Sequence, residues 1–181
     1  MHCEIKEVHR IDSHKGPIYS LAVQEDEIFT GGSDRLLLKH TVKNPDEGVL
    51  LASFGESIFS ICKIERQILV GGFLGHLYQI QLDTSIVKKW EAHEGSIFSI
   101  VDIPNDRLAT AAADGKVHIW DSKKMEIIRT IWLGEFKIRK LYFHQASNQL
   151  AVACGNGVLT ILDLVWFNTL DEWNDPNNPC L

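Results

Sequence analysis

"HEGSIFSI", residues 93–100, has a near copy in the same chain: "HKGPIYSL", residues 14–21. Two further copies lack the histidine but keep the apolar end, "IFSI" from Ile58 and "IRKL" from Ile138. With Ile18 and Ile97 heading the first pair, the four starts are spaced by 40, 39 and 41 residues. Self-similarity at a fixed period of this length marks a repeat architecture. A second apolar run ending in small residues follows each copy: "EIFTGGSD", "QILVGGFLG", "RLATAAADG" and "QLAVACGNG". A third comes next ("LLLKHTV", "HLYQIQL", "KVHIWDS", "VLTILDL"), and a fourth precedes each module ("EIKEVHRI", "GVLLASF", "IVKKWEA", "EIIRTIW").

The runs read as strands, being short and rich in Ile, Val, Leu and aromatics. Between the second and third runs stand Ser33-Asp34, Leu74-Gly75, Asp114-Gly115 and Asn156-Gly157, and Asp-Gly or Asn-Gly there is a strong hairpin signal. Asn156 is expected to take the left-handed conformation before Gly157. A four-stranded antiparallel sheet has two apolar faces, so such units must stack face to face around an axis. The fold class is therefore all-β, built of β-propeller blades of four antiparallel strands.

In the third module the conspicuous positions are His93, Thr110, Asp114 and Trp120; in the first they are His14, Thr30, Asp34 and His40. Thr-to-Asp is four residues and Asp-to-last is six in both. With "LAT" (108–110), "DG" (114–115) and "IWD" (119–121), the chain resembles the WD-repeat (WD40-type) family of β-propellers over nearly its whole length. The modules are similar to those of stand-alone bacterial WD-repeat proteins. The resemblance implies four WD-type repeats in a half or partial propeller, and a hydrogen-bonded His, Thr, Asp and Trp tetrad inside a blade. Module two has Phe54, Val70, Leu74 and Ile80 at these positions, and module four has Gly134, Val152, Asn156 and Leu162. In module two all four positions have become apolar together. One unpaired buried polar group costs ~1–3 kcal/mol, whereas replacing all partners is nearly neutral. The histidines are therefore expected to be structural.

No H-E-x-x-H spacing, G-x-S-x-G elbow or Gly-Lys-Ser/Thr phosphate loop occurs in the sequence,. No catalytic, cofactor-binding or metal-ligating residue is expected, and no enzyme activity. A net charge of −6 without a long basic run argues against nucleic acid as partner,. No apolar run approaches the ~18 residues of a membrane span. "MHCEIKEVHR" lacks an apolar signal core, which points to a cytoplasmic location. The scattered Cys3, Cys62, Cys154 and Cys180 read as reduced thiols,.

The expected organisation is a propeller segment over 1–173 and a polar tail over 174–181. Within it the blades span about 12–48, 52–85, 91–125 and 132–167, with outer strands at 4–11 and 168–173. Trp90, Trp132 and Trp173 fall in outer-strand runs, and Trp166 follows "ILDL". Three closures are open: a truncated half-propeller, a pair forming an eight-bladed ring, or a four-bladed ring. An open arc exposes an apolar sheet face at each end and favours self-association.

The function this supports is a non-catalytic scaffold binding a peptide or protein on the loop face of the propeller. Loops carry binding residues on a rigid frame, and here they supply Lys15, Arg35, Phe73, Glu94, Phe136 and Lys137. Aromatics and Arg are enriched at interface hot spots. Leu74, at a tetrad position, is expected to be buried, which leaves open whether Phe73 beside it is packed or exposed. The alternative is an enzyme with an anion- or metal-dependent site in the central channel. The first strands that line the channel are almost free of carboxylates and histidines, however. Arg139 and Lys140 are the exceptions, and strand alternation lets only one of them face the channel.

Overall fold

The structure, a computed structural model, describes residues 6–164 and 169–174. The first sheet contains β1 (Ile18–Gln24), β2 (Glu27–Gly32), β3 (Leu36–Thr41) and β4 (Val49–Ser53). The second contains β5 (Ile58–Ile64), β6 (Gln67–Gly72), β7 (His76–Gln81) and β8 (Val87–Glu91). The third contains β9 (Ile97–Ile103), β10 (Arg107–Ala112), β11 (Lys116–Asp121) and β12 (Glu126–Trp132). The fourth contains β13 (Ile138–His144), β14 (Gln149–Cys154), β15 (Val158–Asp163) and β16 (Thr169–Asn174). Each sheet is antiparallel with its strands in chain order. Among the described residues there is no helix long and apolar enough to cross a membrane. Trp166 and residues 175–181 lie outside the described residues.

The turns follow from backbone chemistry. Between second and third strands the left-handed residue is Arg35 (φ 69°), Gly75 (φ 90°), Gly115 (φ 73°) and Gly157 (φ 89°). Asn156 therefore does not take the positive φ expected of it; Gly157 does. Asn156 holds the position of Asp34 and Asp114 and does their local work, its Oδ1 accepting the Val158 amide at 3.2 Å. Asp34 accepts Leu36 N at 3.3 Å and Asp114 accepts Lys116 N at 3.1 Å in the same way,.

The core lies between sheets. Phe29 and Leu37 of the first sheet meet Ile58, Ile61, Ile68 and Val70 of the second. Leu69 and Leu77 meet Ile97, Ile100 and Leu108. Ala109, Ala111, Val117 and Ile119 meet Ile138, Leu141, Leu150 and Val152. First strands pack in the order β1, β5, β9, β13, and no comparable packing joins β13 back to β1. Exposure says the same: Ile18 is 51% and Leu21 63% exposed, while the matching Ile58 and Ile61 are 1% and 8%. The four sheets thus form an open arc and not the four-bladed ring, one of the three closures left open by the sequence.

The outer strand expected over 4–11 is not formed at 6–11, where the backbone has no strand pairing. A strand there needs the free edge of a third strand. β3, β7, β11 and β15 already carry β4, β8, β12 and β16 on that edge. The last outer strand falls at Thr169–Asn174 against β15.

Candidate functional site

Three groups of side chains carry possible chemistry: the histidine clusters inside the sheets, the loop face, and the wall formed by the first strands.

In the third sheet His93 Nδ1 lies 3.0 Å from Asp114 Oδ2 and its Nε2 lies 2.8 Å from Thr110 Oγ1. Trp120 Nε1–H donates to Thr110 Oγ1 at 2.9 Å. One proton arrangement satisfies all of these: Trp120 donates to Thr110, Thr110 donates to His93 Nε2, and His93 Nδ1–H donates to Asp114. Burial pushes the Asp114 carboxyl up, but the hydrogen bond and charge of His93, with the Lys116 and Glu94 amides, outweigh it. The result is a pKa of about 2. In the first sheet His14 Nδ1 lies 2.9 Å from Asp34 Oδ2 and Nε2 lies 2.8 Å from Thr30 Oγ1. Asp34 is likewise held below the usual range, burial being outweighed by His14 and the Lys15 and Leu36 amides.

The fourth member of the first cluster differs from expectation. His40 does not reach Thr30. Its Nδ1–H donates to the Pro45 carbonyl at 2.9 Å and its Nε2 accepts from Ser13 Oγ at 3.2 Å. The irregular segment before Val49 supplies a nearer acceptor than Thr30 does, so the ring turns toward it.

Module two is not apolar. Glu56 is buried, and its carboxylate accepts the Leu74 amide, Tyr78 O–H at 2.7 Å and His76 Nδ1–H at 2.5 Å. Burial and then the Glu56 hydrogen bond raise the Tyr78 hydroxyl's pKa. A Cβ on Gly72 would lie 2.3 Å from that carboxylate, so glycine is what admits Glu56. The acid now comes from the loop before the first strand and the histidine from the start of the third strand, whereas in the other clusters that loop supplies the histidine and the turn between second and third strands supplies the acid. The 20-residue separation of Glu56 and His76 equals that of His14 and Asp34. That spacing, with the residue types exchanged, was the signal for this cluster in the sequence. Leu74 is accordingly 57% exposed rather than buried: its amide serves Glu56 while its side chain is left outside.

His118 also escaped the sequence reading. It is buried, with Nδ1 2.8 Å from Thr130 Oγ1 and its ring 4.2 Å from that of His93. Burial, then the charge of His93, push its pKa down to about 4, so it is neutral near pH 7. His93, Asp114 and His118 bring ligand-type atoms within 4.8 Å of one another. Both nitrogens of His93 are engaged, Asp114 accepts from His93 and two amides, and His118 bonds Thr130 and the Ala92 backbone. A cation would have to break these bonds beside Lys116. The donor set is spent on hydrogen bonds.

On the loop face, Lys15, Arg35, Glu94 and Lys137 are exposed. Lys15 and Glu94 have their amides fixed by Asp34 and Asp114 at 3.0 and 3.2 Å, so the clusters position this face. Phe73 is 53% exposed, with its carbonyl fixed by Ser96 Oγ at 2.9 Å. Phe136 differs: it is half-buried and packs against the core between the third and fourth sheets.

The first strands share one irregularity. Register skips Tyr19, Phe59, Phe98 and Arg139, each an extra residue in a bulge against the second strand. Bulges re-aim side chains. All four line a cavity of about 410 Å³ on the axis side, with Ser20, Ser60, Ser99 and Lys140. Arg139 and Lys140 thus both line the channel, contrary to strict alternation, because the bulge interrupts it between Ile138 and Lys140. Tyr19 and Phe59 stack at 4.8 Å with planes 3° apart, and Phe98 meets Phe59 edge-on at 5.5 Å. The Arg139 guanidinium lies 5.0 Å from the Phe98 ring centre.

Residues 84–121 match the family described as WD domain, G-beta repeat. The match takes in β8 to β11 and so includes His93, Thr110, Asp114 and Trp120. WD repeats are in general units of protein-interaction scaffolds. Residues 84–121 thus carry a repeat of the WD family, and the four four-stranded antiparallel sheets stacked beside and around it are consistent with WD-repeat propeller blades.

Proposed function

We propose that this chain is a non-catalytic scaffold that binds a protein or peptide on the loop face of its blades, in the cytoplasm. The observation that supports this most is Phe73, a large ring left 53% exposed on backbone that is fixed by hydrogen bonds. An aromatic on a rigid loop loses little entropy on binding and makes an effective anchor. Lys15, Arg35, Glu94 and Lys137 add exposed charges of both signs on the loops of the other sheets. Phe136 supports the loop face from beneath rather than contacting the partner. The histidine clusters hold the loops in place and take no part in chemistry.

The channel offers a second site. Among the described residues its lining contains no carboxylate, histidine or cysteine, and its ionisable groups are Tyr19, Arg139 and Lys140, which favours a binding wall over a metal-ligand set.

Affinity capture from the native source with wild type, Phe73→Ala and Arg35→Glu tests the reading. Capture is expected to fall at least about tenfold in each variant at unchanged thermal stability. Unchanged capture by both removes this face as the binding surface.

A further inference from the structure

Three features outside the loop face invite a function: the His93–Asp114–His118 cluster, the exposed sheet face of β1, and the channel wall. The first is fully engaged in hydrogen bonds. The second has no residue-specific feature that selects its occupant. The third does.

We infer that the channel wall binds a peptide segment in which an aromatic side chain stands beside acidic groups. This goes deeper into the scaffold reading and rests on it for the protein nature of the partner. Four bulges aim Tyr19, Phe59, Phe98 and Arg139 at one cavity. Tyr19 is 47% exposed, and no described ring covers its outer side, since its one ring contact is with Phe59. A row of ring faces and edges accepts a further aromatic ring by stacking or edge contact.

Charge selects what accompanies the ring. Arg139 and Lys140 are both exposed. Among the described residues neither has a carboxylate within 4.0 Å. The remaining polar lining is hydroxyl-bearing: Tyr19, Ser20, Ser60 and Ser99. Ser60 and Ser99 are already bonded to the Ile97 carbonyl and the Leu141 amide, so apart from the neutral Tyr19 and Ser20 hydroxyls the wall's open polar groups are cationic. The cavity, about 410 Å³, lies in the size range of ligand sites. Arg139 sits at the far end of the aromatic row from Tyr19, beyond centre-to-centre steps of 4.8, 5.5 and 5.0 Å, so ring and anion are recognised up to about four residues apart along an extended segment.

Two eight-residue peptides with one central Trp, one flanked by Asp and Glu and the other by Lys, are titrated by fluorescence anisotropy into the 181-residue chain. A third replaces Trp by Leu in the acidic peptide. The acidic Trp peptide is expected to bind at least about tenfold tighter than either control, and to weaken as salt rises. Phe59→Ala and Arg139→Glu are each expected to lower its affinity by about tenfold, with Arg35→Ala on the loop face leaving it unchanged. Equal binding of the acidic and basic peptides overturns the inference, as does wild-type affinity in Arg139→Glu with a native melting curve. Native capture that still depends on Phe73 would then leave the loop-face scaffold standing. Loss of the loop-face effect with the peptide pattern intact would do the reverse.

Discussion

His118 gives this fold a specific acid sensitivity. Its pKa is pushed from an ordinary 6.5 to about 4, by burial first and the charge of His93 second. In the unfolded chain the imidazole takes up its proton around pH 6.5; in the folded chain it resists until about pH 4. The unfolded state therefore binds more protons in that window, and stability falls as pH is lowered through it. The contribution is fully present above pH 6.5 and gone below about 4. Linkage arithmetic over pH 7.0 to 4.5 gives a loss of roughly 2 kcal/mol from this residue. At about 2–4 °C per kcal/mol for a chain of this size, that is roughly 4–8 °C in melting temperature. His118→Leu is the informative variant, because Leu38 occupies the matching register position opposite Thr30. The Thr130 partner left behind is exposed and can turn to water. Melting curves of wild type and variant at pH 7.0 and 4.5 isolate the residue. The variant is expected to lose less stability on acidification than wild type, by roughly 2 kcal/mol. Equal losses in the two proteins refute the reasoning.

Glu56→Ala leaves Tyr78, His76 and the Leu74 amide without their acceptor. It should cost about 2–3 kcal/mol in urea unfolding, whereas a surface-loop glutamate would change stability by under about 0.5. The Cys62 thiol, pushed up to about 12 chiefly by burial, should be alkylated in the native protein at least about tenfold more slowly than in urea, read peptide by peptide; equal rates would show it to be accessible. Leu21, 63% exposed on the open face of the first sheet, should drive concentration-dependent association in sedimentation, and Leu21→Glu should reduce it. A wild-type chain that stays monomeric at high concentration contradicts that expectation.

The four-strand unit was legible because its cues are local. Apolar runs and small residues at the ends of second strands recur in each module, and Asp or Asn holds one turn position in three of the four. The His93 cluster was legible for the same reason. What escaped were features set by contact rather than type. Glu56 looked like a loop glutamate, since only the glycine at 72 opens the space that buries it. His40 stands at the right position, but Pro45 and Ser13 lie nearer than Thr30. His118 looked like one alternating residue of a strand until its ring was seen against that of His93. Arg139 and Lys140 seemed to exclude each other because strict alternation ignores the bulge that strand pairing places in every first strand.

In the proposed function, histidine clusters hold the blades and the loop face binds. The most direct test is one affinity measurement on two variants, His93→Ala and Phe73→Ala, with the captured partner and at a temperature where both are folded. His93→Ala should lose about 3 kcal/mol of stability, through its broken bonds to Asp114 and Thr110,, yet bind within about twofold of wild type. Phe73→Ala should melt like wild type and bind at least about tenfold more weakly. The opposite pattern, binding lost with His93 and kept without Phe73, would contradict the account.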